Sequence, residues 1–176
     1  MINPTTLIQL KAYARQDGLF LGLFWTASFA LTMLDPKAIW GNLLAMMTPF
    51  FMGWRLSAFR DEALEGVISF RRGFAHGIYS VVYASLVFAL VQYVYFRFLD
   101  NGVFMGIIND GIMLIESIYK EQGISTAEIT QTVEAMQSVT PVQWTFMLMM
   151  QNIFIGFFLA VPVAAFCKRS NLSVTP

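Results

Sequence analysis

Two arginines and the chain's only histidine stand together in VISFRRGFAHGIYS, residues 67–80. Arginine grips phosphate or carboxylate through paired N–H groups. Histidine is the side chain that exchanges protons near neutral pH. Arg72 and His76 are four apart and share one face of a helix, while Arg71 projects roughly 100° away. The candidate site Arg71, Arg72 and His76 therefore has two readings. One is a headgroup site for an anionic phospholipid or lipid-linked phosphate, joined by Arg55 and Arg60. The other is the positive collar of a membrane helix with an interfacial histidine. Ser80 lies one turn beyond His76, but no carboxylate stands at helical spacing to orient the imidazole, so no nucleophile–base pair is expected. One histidine and one cysteine, Cys167, leave no disulfide and no His/Cys zinc site, and no cofactor is expected.

The elements that carry these residues are apolar. The 176 residues are 57% hydrophobic and 12% charged, with mean hydropathy +0.61, where a soluble domain carries roughly 25% charge. Net charge is zero, and nothing suggests nucleic-acid binding. Four runs approach the roughly 20 residues that a helical span needs: 18–34, 38–54, 73–96 and 142–167. None contains Asp, Glu, Lys or Arg. They must be helices, because lipid cannot pair an irregular backbone. The first helix should begin near Thr5 or Thr6, since Leu7, Leu10 and Ala14 share one face. Eight lysines and arginines fall on one side of these runs (11, 15, 55, 60, 71, 72, 168, 169) and three on the other (37, 97, 120). The positive-inside rule puts both termini in the cytoplasm.

The expected fold is thus all-α. A single domain, 1–176, forms a polytopic bundle of four antiparallel transmembrane helices, with a periplasmic helical loop over 97–141. Asp35 and Pro36 are placed as N-cap and first residue of helix two. Pro49 should kink that helix, with Thr48 serving the freed carbonyl. RDEALE should form a short surface helix ended by Gly66. In the outer loop Ile108, Ile112, Ile115 and Tyr119 recur at helical spacing. Ser125 and Glu128 read as a capping box, with Ile124 and Ile129 as its staple. Those two apolar stripes are expected to rest on the membrane surface or the bundle, or to dock a partner.

The order of EGVISFRRGFAHG, a span ending YVYFRFLD, the segment IYKEQGISTAEITQTVEAMQSVTP and a last span ending CKRS resembles domain-of-unknown-function family 4199. These are small bacterial integral membrane proteins with four predicted helices. The hydrophobic GVFMGIIND departs from the charged helix start expected there. The resemblance implies an inner-membrane architecture and brings no established activity.

Inside the spans the strongest polar candidates are Asn42, Gln92, Gln151 and Asn152. They either bond helix to helix or line a path for a lipid or small solute. No buried carboxylate of the kind a proton-coupled exporter uses is expected. Gly18-x-x-x-Gly22, Gly73-x-x-x-Gly77 and the ridge Gly156, Ala160, Ala164 mark close helix contacts, within the bundle or to another subunit. The leading expectation is a non-enzymatic accessory or scaffold protein that binds membrane lipid, a membrane-protein partner or a second copy of itself. The alternative is a small transporter or flippase-like protein for an amphipathic or lipid-linked solute. A polar path from Asn42 through Gln92 to Gln151 would favour the alternative, and a dry centre the first.

Overall fold

The structure, a computed structural model, describes residues 4–122 and 127–170. All regular elements among them are helical: α1 (Pro4–Leu34), α2 (Trp40–Met46), α3 (Thr48–Ala63), α4 (Phe70–Val94), α5 (Val103–Glu121), α6 (Ala127–Gln137) and α7 (Pro141–Cys167). Among the described residues, three helical stretches are long and apolar enough to cross a membrane: Thr6–Leu34, Phe70–Leu99 and Pro141–Cys167. The run at 38–54 differs from expectation. It is split between α2 and α3 at Met47, and neither helix alone has membrane length. The cause is Pro49, which has no N–H for the carbonyl of Ala45. The Thr48 hydroxyl donates to that carbonyl instead, at 2.6 Å.

Two local expectations need correction. Asp35 does not cap α2. The Ala38 N–H donates to the Asp35 carbonyl and the Lys37 N–H to its side chain, so Asp35-Pro36-Lys37-Ala38 is a closed turn. The N-cap is Ile39, without a side-chain cap. RDEA is the last turn of α3 rather than a separate helix. It ends where Gly66, at φ +81°, lets its N–H reach the Arg60 carbonyl; a left-handed residue after a helix is natural for glycine.

Ser69 caps α4 by accepting from the Arg72 N–H. Thr140 and Gln143 form a reciprocal capping box before Pro141, at the start of α7. Between α4 and α5 the helix widens into one π turn, Tyr95–Leu99. The Asp100 carboxylate then accepts from the Phe104 N–H and the Tyr95 hydroxyl, which starts α5. The Ser125 capping box lies outside the described residues.

Small residues set the packing. A Cβ on Gly18 would lie 2.7 Å from the Ser80 carbonyl, and one on Gly22 3.0 Å from that of Ala84. Gly77 faces the Ala160 methyl, Gly73 faces Ala164, and Gly156 is filled by Val81. Partner numbers rise together between α1 and α4 and run opposite between α4 and α7. The core includes Leu21, Leu56, Phe59, Val81 and Ala160. At the basic end Ile68 and Arg169 exchange two backbone hydrogen bonds of 3.0 Å. Arg60 ties α3 to α7 by donating to the Cys167 carbonyl, and its ion pair holds the exposed Asp61 carboxyl below the usual range.

Candidate functional site

α1 has one buried stripe, Leu10, Ala14, Asp17, Leu21, Trp25 and Ser28, at spacings of three and four. The stripe carries a carboxylate: Asp17 is only 2% exposed. Two Arg55 nitrogens reach its Oδ1, Nε at 2.7 Å and Nη2 at 2.6 Å. The Arg55 guanidinium also lies over the rings of Phe20 and Trp54. From α4, His76 brings Nε2 to 3.1 Å from Asp17 Oδ2, and its ring stacks on Phe59 at 4.7 Å. Distance alone pairs these two atoms. Neither makes an aligned hydrogen bond, and the buried Ser80 Oγ beside them is also unpartnered. Asp17, Arg55, His76 and Ser80 line a void of about 10 Å³, room for about one water.

This cluster overturns the expectation that no carboxylate is buried, and the carboxylate that meets the histidine comes from α1 rather than from helical spacing along α4. Asp17 stands one residue before the first apolar run. The cluster has the residue types of a Ser-His-Asp triad, but Ser80 does not bond the imidazole in this arrangement.

The three basic candidates are not gathered into one site. His76 is buried against Asp17. The Arg72 guanidinium donates to Gln9 Oε1 at 3.0 Å and lies over Phe59; Gln9 in turn donates to the Ala63 carbonyl. Arg71 is exposed.

The larger site lies toward the other end of the helices. A cavity of about 430 Å³ opens where α2 parts from α7, with Asn42 on one wall and Gln151 and Asn152 on the other. Gln92 of α4 forms part of its wall. It is 3% exposed, and its Oε1 is buried without a partner. Hydroxyls on the same walls are already engaged. Ser28 donates to the Gly41 carbonyl, Thr32 to that of Ser28, and Thr48 accepts from the Trp25 indole at 3.1 Å. The four amides are therefore the lining's free hydrogen-bonding groups. Trp25, Phe88 and Leu159 are among the apolar residues around them; the buried Leu21 and Met52 line the void at the Asp17 cluster.

Membrane-length apolar helices around a polar cavity and a buried ion pair define an all-helical membrane protein. Over residues 16–169 the chain matches the family described as "Protein of unknown function (DUF4199)", and it belongs to that family. No curated protein and no solved structure matches it.

Proposed function

We propose that this protein crosses the bacterial cytoplasmic membrane four times, with both termini inside, and carries an amphipathic solute in the cavity between α2 and α7. Its role is non-enzymatic. The fourth crossing is α2 with α3 as far as Phe59, which at 1.5 Å per residue covers about 30 Å, the thickness of a hydrocarbon core, and leaves the charged last turn of α3 at headgroup level. The orientation follows from the distribution of lysine and arginine.

The observation that carries the reading is the convergence of Asn42, Gln92, Gln151 and Asn152 on one cavity. A protein built only to hold a partner needs a filled core. Polar side chains within membrane helices are costly when unpartnered, and a concave, mostly apolar site with a few convergent polar groups is the usual form of a small-molecule pocket. These features favour a carrier over an accessory subunit. The Asp17–Arg55–His76 cluster then serves as the inner closure, joining α1, α3 and α4 beneath the cavity.

The test is to purify the protein from native membranes and identify retained small molecules by mass spectrometry. Wild type is expected to retain an amphipathic molecule. Gln151→Leu with Asn152→Leu should reduce it about tenfold, as the loss of one or two hydrogen bonds implies. Equal retention by the double variant would refute the reading.

A further inference from the structure

The cavity contains no ionisable side chain. Its polar groups are amides and hydroxyls, and the remainder is apolar. A charged headgroup placed there would lose its hydration without meeting a counter-charge, a large penalty. An uncharged head with hydroxyl, ester or amide groups would meet donors and acceptors in both senses, because each amide offers two N–H groups and a carbonyl.

A second feature lies beside it. A groove of about 670 Å³ runs between α1 and α4 at the same end, lined by Thr26, Ala30, Leu34, Leu90 and Val94 among others. Its polar groups are already occupied. The Thr26 hydroxyl donates to the Gly22 carbonyl at 2.8 Å, and the Tyr95 hydroxyl to Asp100 at 3.3 Å. The groove thus offers hydrocarbon contact and no free hydrogen bond. Phe29 and Met33 line both the groove and the cavity. Phe29 is held edge-on by Phe88 and Tyr95, at 5.7 and 5.0 Å. The two compartments therefore adjoin across these two side chains.

We propose that cavity and groove are two halves of one site for a single-chain amphipath with an uncharged, hydrogen-bonding head. The head lies among Asn42, Gln92, Gln151 and Asn152, and the hydrocarbon chain lies between α1 and α4. This assignment rests on the carrier reading of the same cavity and narrows it, because it excludes anionic lipids from that cavity.

Two probes with the same chain separate the alternatives: 1-oleoyl-glycerol and 1-oleoyl-lysophosphatidylglycerol. The purified full-length protein is mixed with equal amounts of both, and bound species are counted by native mass spectrometry. Wild type should take up the uncharged probe on the order of tenfold more than the anionic one, given the cost of burying an unpaired charge. Gln151→Leu, at an exposed position on α7, should reduce binding of the uncharged probe severalfold by removing head hydrogen bonds, without admitting the anionic one. Ala30→Trp, exposed in the groove, should reduce binding of the uncharged probe at least severalfold. Because both positions are exposed, neither change threatens the fold. Equal or stronger binding of the anionic probe would overturn the head assignment and leave the carrier reading standing. Unchanged binding in Ala30→Trp would mean that the chain lies in bulk lipid and would overturn the two-compartment site. Failure of both probes to bind would overturn this assignment and count against the carrier reading with it.

Discussion

Asp17 is where one side chain matters most. Its Oδ1 takes two nitrogens of Arg55, Nε and Nη2, and its Oδ2 faces His76. Asp17→Asn should destabilise the protein by about 3 kcal/mol, the low end for breaking a buried pair, because Arg55 retains 18% exposure and two aromatic neighbours. Asp17→Leu combined with Arg55→Met should recover most of that loss, since apolar replacement of both partners removes the stranded charge. Denaturant unfolding in detergent measures both; a double variant no better than Asp17→Asn would assign the pair a role other than mutual neutralisation. Much of this is legible in the chain. Leu10 and Ala14 define a buried face, and one further turn along that face arrives at Asp17 and then Leu21. An uninterrupted apolar run begins only at Gly18 and leaves Asp17 outside. The meeting of Asp17 with Arg55 and His76 depends on α1, α3 and α4 packing together, which spacing within one helix does not encode. For the same reason His76, beside two arginines, reads as interfacial in the sequence although it faces inward.

Among the elements, the close helix contacts are readable as small residues at four-residue spacing, and their partners are not. Gly18 packs on the α4 backbone, whereas a Cβ on Gly73 would meet Leu56 and Ala164 at ordinary distances of 3.4 and 3.5 Å. Gly18→Ala should therefore cost about 1–3 kcal/mol by overpacking. Gly73→Ala should be neutral or slightly stabilising, because alanine favours the helix. Thermal melts in detergent distinguish the two, and equal effects would contradict the close crossing of α1 and α4. The break between α2 and α3 is readable as Pro49 with Thr48, but its consequence is not. A split helix departs from α7 at its upper half and leaves the cavity there. The helical content of the segment between α4 and α7 is also readable, from the recurrence of Ile108, Ile112 and Ile115. Met113, Leu114, Ile115 and Ile118 of α5 remain exposed, and an amphipathic helix with such a face settles into a membrane interface. A spin label at Ile115→Cys should be reached by a lipid-soluble relaxant more than by a water-soluble one; the reverse would lift α5 off the membrane.

At the scale of the whole molecule, the proposed carrier is a bundle open toward the outer side through its amide-lined cavity and closed toward the cytoplasm by the Asp17 cluster. Composition and lysine–arginine asymmetry make the membrane class and the expected orientation readable, and the four amides are recognisable as polar candidates. Their convergence requires the packing of α1, α2, α4 and α7. The most direct test is thiol accessibility in intact spheroplasts, in a Cys167→Ser background. Cysteine at Asn152, on the cavity wall, is predicted to react with a membrane-impermeant thiol reagent added outside. Cysteine at Val163, beside the inner void, is predicted to stay unmodified under the same conditions. An unreactive position 152 or a reactive position 163 would contradict the account.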